Sequence, residues 1–265
     1  RIDVQGTLAT PGGSIALTTL TYASSVDPAD FALTLGGTAQ LSTAGAWVSD
    51  SAGLRTGDGS DTVVLKGGSV SLTSAAGLSL AAGSLVDVSG GGWLQATGKY
   101  KFGDAGTISL ATGTMTAAAR PDASMTLAGS LAGYGLSNGV SAGKGGSLNI
   151  TASNVSLGGD VLGDAGELHL GEGFFSQGGF RNYSITGRDQ LSVAAGASIR
   201  PAPASRMVRL ARNGRDLSWS WTTSLLPELI RSTGSLKLTT LSRDFGDLTV
   251  GTGAHLAVDP GGGIS

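Results

Sequence analysis

The sequence predicts an all-β chain, a right-handed parallel β-helix (a β-solenoid) with loops extruded from its coils. Three observations point there. A six-residue phrase of two small residues, a polar residue and an apolar–polar–apolar triplet occurs six times. A second phrase, strand–tight turn–strand, recurs between its copies. The composition is rich in glycine and small aliphatic residues: 45 Gly in 265 residues, 40% hydrophobic residues, 14% charged and 5% aromatic.

The first phrase reads Gly12-Gly13-Ser14-Ile15-Ala16-Leu17, Gly67-Gly68-Ser69-Val70-Ser71-Leu72 and Ala105-Gly106-Thr107-Ile108-Ser109-Leu110. It continues as Gly145-Gly146-Ser147-Leu148-Asn149-Ile150, Ala165-Gly166-Glu167-Leu168-His169-Leu170 and Thr233-Gly234-Ser235-Leu236-Lys237-Leu238. The second small residue recurs at intervals of 55, 38, 40, 20 and 68. Four of these lie near multiples of about 19, the range in which periodic sequence means stacked repeats. A glycine pair lets the backbone turn through angles that other residues avoid. The triplet after it is a short strand with alternate side chains inward.

The second phrase reads Leu78-Ser79-Leu80-Ala81-Ala82-Gly83 before Leu85-Val86-Asp87-Val88. It returns as Leu191-Ser192-Val193-Ala194-Ala195-Gly196 before Ile199, and as Leu248-Thr249-Val250-Gly251-Thr252-Gly253 before Leu256-Ala257-Val258-Asp259. Phe31-Ala32-Leu33-Thr34-Leu35-Gly36 is a looser copy. Two or three strands per coil of about 20 residues is the arithmetic of a parallel β-helix. The crossover rule makes it right-handed, and roughly 10 to 12 coils would give a rod about 50 Å long.

Small aliphatic side chains suit the thin interior of such a rod, and the hydrophobic-to-charged balance is the reverse of a disordered chain. Glycine without a Gly-X-Y period excludes collagen. A net charge of −2 leaves no footprint for nucleic acid or an anionic membrane. No apolar run approaches the roughly 20 residues of a membrane-spanning helix. Cysteine is absent, as suits export of an unfolded chain, and no signal peptide is visible. Beginning at Arg1 and stopping after Gly261-Gly262-Gly263, the chain reads as one segment, residues 1–265, of a longer rod. Open strand edges at its ends would need capping or would pack end to end.

Three stretches interrupt the rhythm. Residues 21–31, with Asp27-Pro28-Ala29-Asp30, read as a surface loop. Residues 91–103 concentrate Trp93, Tyr100, Phe102 and two lysines. Residues 200–232 hold Pro201, Pro203, Arg206, Arg209, Arg212, Arg215, Trp219 and Trp221, and are expected to leave the rod, with a helical turn near Pro227.

Two further stretches sharpen the picture beside Leu80 to Gly92: Gly173-Phe174-Phe175-Ser176-Gln177-Gly178-Gly179-Phe180-Arg181-Asn182-Tyr183-Ser184-Ile185, and Leu248 to Gly262 with Val258-Asp259-Pro260-Gly261. Together they resemble the filamentous-haemagglutinin-like exoproteins of Gram-negative two-partner secretion. The resemblance covers most of the chain. It implies a right-handed β-helix, secretion to the cell surface or beyond, an outer-membrane secretion partner for the parent protein, and roles in adhesion or display. It implies no catalytic residues and no cofactor. The N-terminal secretion domain of that family is missing from this sequence.

The residues themselves agree with the absence of catalysis. The only histidines, His169 and His255, each occupy the polar middle of a triplet and are expected to point outward. Neither a Ser-His-Asp arrangement nor a zinc site is supported. Gly57-Asp58-Gly59-Ser60-Asp61 resembles one calcium-binding nonapeptide, with Asp58 and Asp61 as ligands. Such sites take ligands from two stacked turns, so a polar turn before the strand at 62–65 is the plainer reading. Asn149, Asn154 and Asn182 head glycosylation sequons, of a kind that also arises by chance in Ser/Thr-rich chains.

The binding candidates are Trp93, Tyr100, Arg206, Arg209, Arg212, Arg215, Trp219 and Trp221. Aromatic faces stack on sugars or lipid, and arginines clamp carboxylates or phosphates. For Trp219 and Trp221, however, the plainer reading is that they pin the excursion onto the rod. The expected function is an adhesin segment for attachment, aggregation or biofilm formation, meeting polysaccharide or a cell surface. The alternatives are the stalk of a contact-dependent toxin-delivery exoprotein and a polysaccharide-degrading β-helix enzyme. The last would need clustered charges that this chain lacks.

Overall fold

The computed structural model describes residues 1–20, 28–51, 63–113, 123–159, 166–213, 216–241 and 246–265, with the side chains of Pro28, Arg212, Asn213, Asp216 and Leu217 excepted. Among the described residues the chain is built from short strands and two 3-10 turns, Pro28–Phe31 and Glu172–Ser176, with no α-helix.

The strands stack because successive passes of the chain return to the same columns. In the widest sheet, strands Ser14–Thr18, Ser69–Ser74, Thr107–Thr112, Ser147–Leu157, Asn182–Val193, Ser235–Thr240 and Gly263–Ile264 lie side by side in chain order, all parallel. A second sheet stacks Ile2–Val4, Leu33–Leu35, Leu78–Leu80 and Met125–Leu127. A third stacks Thr7–Ala9, Gln40–Ser42, Leu85–Asp87 and Ser130–Ala132. Later in the chain the wide strands run on round the corner. Residues 155–157 pair with 191–193, and these pair with 248–250, after a register shift between Ala152 and Asn154.

Register places equivalent side chains one above another. Val70, Ile108, Leu148 and Tyr183 form one inward column, and Leu72, Leu110, Ile150 and Ile185 the next, all at 0 or 1% exposure. The intervening positions form an outward ladder of Ser, Thr and Asn, as period-2 alternation requires. Asn149 donates to Ser109, Asn182 donates to Ser147, and Ser235 donates to Asn182, each at 3.1 Å.

The coils are fewer and longer than the phrase intervals suggest. Equivalent positions in the wide sheet are Ser14, Ser69, Thr107, Ser147, Asn182, Ser235 and Gly263, so a pass takes 28 to 55 residues. Seven strands about 4.8 Å apart extend about 29 Å. The discrepancy comes from one copy of the phrase. Leu168–Leu170 pairs with residues 155–157 instead of with the next wide-sheet position. That position is taken by Asn182-Tyr183-Ser184-Ile185, which follows Gly179-Phe180-Arg181 in place of a glycine pair.

The glycines of the two phrases serve different ends. Those of the second phrase supply turns: Gly83, Gly196 and Gly253 have φ of +92°, +71° and +75°. Each sits third in a four-residue turn closed by Ser84, Ala197 or Ala254 donating to residue i−3, the position where a type II turn calls for glycine. The second glycine of the first phrase sits instead, at Gly68 and Gly106, where backbones stack. A Cβ on Gly68 would lie 1.8 Å from the Gly13 carbonyl oxygen, and one on Gly106 would lie 1.7 Å from that of Gly68. Those oxygens accept the amides of Ser69 (2.9 Å) and Thr107 (3.0 Å). Close approach, not turning, requires glycine there.

Candidate binding surface

The excursion at 200–232 is a β-hairpin. Ala204–Asn213 and Asp216–Leu225 pair antiparallel from Ala204↔Leu225 to Asn213↔Asp216. The hairpin joins the body through Leu136–Ser137, in the register Leu136↔Arg206. Near Pro227 the chain makes a single turn, with Ile230 and Arg231 both donating to the Pro227 carbonyl at 3.0 Å.

Period-2 alternation gives the hairpin two faces. One carries Arg206, Val208 and Leu210 opposite Thr223, Trp221 and Trp219. The other carries Met207 and Arg209 opposite Thr222 and Ser220. Part of the aromatic face lies back on the body: the Trp219 ring packs tilted against Trp47 at 5.1 Å and against the half-exposed Trp221 at 4.9 Å. Trp47 belongs to an earlier pass, in a corner sheet of Trp47–Ser49, Gly92–Leu94 and Tyr100–Phe102. It continues the chain of rings to Tyr100 at 6.4 Å, and Tyr100 stacks on Phe102 at 5.6 Å. Gly92 makes room for this, since a Cβ there would sit 2.9 Å from the Trp47 ring. The excursions at 91–103 and 200–232 therefore meet in one aromatic seam, which pins the hairpin down.

Trp93 and Tyr100 do not form one site. They lie on opposite faces of the corner sheet. Trp93 pairs in register with Lys101, whose ammonium sits 5.2 Å from its ring, and its indole donates to Asp50 at 2.7 Å. The arginines separate as well. Arg206 points to the body, and Arg209 sits on the outer face near Thr222 (3.4 Å). The side chain of Arg212 and all of Arg215 lie outside the described residues, as do Asp58, Asp61 and residues 21–27 of the loop at 21–31.

Two aspartates hold the arm at its two ends. Both terminal guanidinium nitrogens of Arg206 lie 3.3 Å from Asp87 Oδ2, while the group covers Tyr134 at 4.7 Å and Trp221 at 5.3 Å. Past the hairpin, Asp259 is almost wholly buried and accepts from Arg231 Nε (2.5 Å) and Nη2 (2.7 Å), with Arg200 at 2.8 Å. Arg200 also reaches Glu228 at 2.8 Å. Hydrogen bonds from Arg231, then from Arg200, hold the Asp259 carboxyl below the usual carboxylate range against the opposing effect of its burial. Asp87 and Asp259 are the aspartates of the Val-Asp pairs that end two copies of the second phrase. That repetition was the available signal for both anchors. For Trp47 and Tyr134, each inside an ordinary strand-like stretch, no such signal existed.

His169 stands directly opposite Ser156, and its Nδ1 lies 3.1 Å from the serine hydroxyl, a cross-strand contact that the register dictates. His255 is exposed opposite Ser198. Asn149 and Asn182 lie in the outward ladder with their amides engaged, and Asn154 pairs with Gln190. Among the described residues no three His, Cys, Asp or Glu gather as a metal site, and no helix is long and apolar enough to cross a membrane.

A cleft of about 520 Å³ opens at the base of the hairpin. Residues 127–131, the corner between strands Met125–Leu127 and Ser130–Ala132 that are last in their sheets, line it on one side, with Phe174, Gln177 and Phe180 also lining it. Comparison with protein-family models, with curated proteins and with solved structures found no match to the chain.

Proposed function

We propose that the chain is part of a right-handed parallel β-solenoid rod displayed at a bacterial surface or secreted from it, and that it acts in attachment, aggregation or biofilm formation. The observation that carries this reading is the seven-strand parallel sheet whose outward face is a regular ladder of Ser, Thr and Asn, with an arm clamped along its flank. Stacked passes propagate stiffness, because each depends on its neighbours for hydrogen bonds and core. A surface of hydroxyls and amides repeated every 4.8 Å or so suits contact with polar polymers. The hairpin extends that surface, with Ser218, Ser220, Thr222, Ser224 and Arg209 exposed.

The test couples the full chain to beads and measures their retention on polysaccharide-coated and cell-coated surfaces, beside beads carrying a variant in which a short Gly-Ser link replaces residues 204–225. Retention by the full chain that falls in the variant supports adhesion through the arm. Retention no greater than that of blank beads sinks the adhesive reading.

A further inference from the structure

The cleft at the base of the hairpin is a gap in the stack. Leu127 and Leu131 are only half-buried there, whereas their column-mates Leu80, Leu35, Val86 and Leu41 are at 0% exposure. No strand continues the two sheets past Met125–Leu127 and Ser130–Ala132 among the described residues. The facing wall is the Glu172–Ser176 turn and the residues after it, with the Gly133 amide donating to the Gly178 carbonyl at 2.7 Å to close one end.

That wall is rigid. Phe174, Phe175 and Phe180 pack round the fully buried Tyr183 at 6.2, 5.1 and 6.2 Å, and the Tyr183 hydroxyl donates to the Phe175 carbonyl at 3.2 Å. The polar groups at the mouth are the exposed Ser130, Ser176, Gln177 and Thr223, and no charged side chain lines the cleft among the described residues. Tyr134 forms the side next to the hairpin, with its ring held under Arg206.

We propose that this cleft binds an uncharged sugar, as a mono- or disaccharide unit of a neutral glycan. Its volume falls within the range of about 300 to 1,000 Å³ typical of small-molecule sites. Aromatic and leucine surface on the walls matches the apolar face of a pyranose ring, and hydroxyls and an amide at the rim match its equatorial hydroxyls. A carboxylate or sulfate entering the cleft would lose hydration without meeting a lining cation among the described residues. An extended peptide meets a closed end at Gly178. The proposal rests on the surface-rod reading only for where such a glycan is encountered.

The experiment is two-dimensional amide NMR of the full chain, titrated in parallel with methyl glycosides of neutral hexoses and their disaccharides, with the uronic-acid and sulfated counterparts, and with an apolar hexapeptide. The expected result is saturable shifts confined to residues 127–134 and 174–180 with a neutral sugar, and weaker binding of the acidic forms. The double variant Ser130→Ala, Gln177→Ala removes two rim hydrogen-bonding groups and is expected to weaken binding about tenfold with an unchanged melting temperature. Absence of shifts at these residues with every neutral sugar overturns the proposal. So does equal binding of the acidic sugars, binding of the peptide alone, or full affinity in the double variant. Sugar binding that persists while the beads fail to adhere separates the cleft from the adhesive reading and removes only the latter.

Discussion

Arg206 and Asp87, 119 residues apart in sequence, join the hairpin to the body through a guanidinium that also lies between the rings of Tyr134 and Trp221. The charge pair and the stack use the same flat group, so lysine cannot replace it. Arg206→Ala and Arg206→Lys should both loosen the arm, the alanine variant by about 2 kcal/mol for a partly buried pair and its ring contacts. Hydrogen exchange of the amides in Ala204–Asn213 reads this directly. Faster exchange there, with residues 69–74 and 107–112 unchanged, is the expected outcome. Uniform change, or none, counts against the clamp.

Trp47 is the hinge of the aromatic seam, and its indole nitrogen is buried with no acceptor among the described residues. Removing the ring opens a cavity under Trp219, so Trp47→Ala should cost about 3 kcal/mol. Trp47→Phe keeps a ring and removes the orphaned donor, so it should cost less than about 1 kcal/mol. Urea melts of both variants rank them. The alanine variant should also shift the remaining tryptophan emission to the red as water reaches Trp219.

The strands and turns were legible because their determinants are local. Alternation in Leu78-Ser79-Leu80, and a glycine three places into each tight turn, depend on residues a few positions apart. The coil count was not legible, because strand pairing is non-local. Leu168-His169-Leu170 carries the repeated pattern but pairs with 155–157, while Asn182 to Ile185 occupies the wide-sheet position behind Arg181. At the binding surface, Trp219, Trp221 and Tyr100 stood out as aromatics in a chain poor in them. Their partner Trp47 sits in a stretch that reads as an ordinary strand, and only the repeated Val-Asp pair marked the anchors Asp87 and Asp259. The cleft lies where no strand continues two sheets among the described residues, and no residue pattern records that.

Three glycines separate the reasons for glycine in this chain. Gly68 has ordinary φ but no space: a Cβ would meet the Gly13 oxygen at 1.8 Å. Gly196 has space but a φ of +71°. Gly171 has open space and a φ of −62°. Gly68→Ala should therefore push two passes apart and cost more than about 3 kcal/mol, among the severe class of single substitutions. Gly196→Ala should cost about 1 to 2 kcal/mol, the left-handed penalty alone. Gly171→Ala should stay within about 0.5 kcal/mol of the parent. Thermal melts of the three set the order, and a Gly68→Ala protein as stable as the Gly171→Ala one would contradict the stacked-backbone account.

Asp259 makes the far anchor acid-sensitive. Its carboxyl is held below the usual carboxylate range by hydrogen bonds from Arg231 first and Arg200 second. A carboxylate whose folded pKa is depressed adds stability that is present above its unfolded value, and that stability is lost as pH falls through the folded one. The loss therefore sets in below about pH 4, the ordinary carboxylate value. Protonation leaves the Arg231 guanidinium, itself only 7% exposed, with the more distant and exposed Glu228 carboxylate, at 3.6 Å, as its counter-charge. Asp259→Asn should lower stability at neutral pH by about 2 kcal/mol, less than the cost of a wholly unpaired buried charge because Glu228 stays 3.6 Å from Arg231. It should also flatten the fall in stability below pH 4. Urea midpoints for parent and variant between pH 7 and pH 2.5 measure both effects. The two curves are expected to converge on acidification, because the parent then loses what the variant never had, and parallel curves would exclude Asp259 as the titrating anchor.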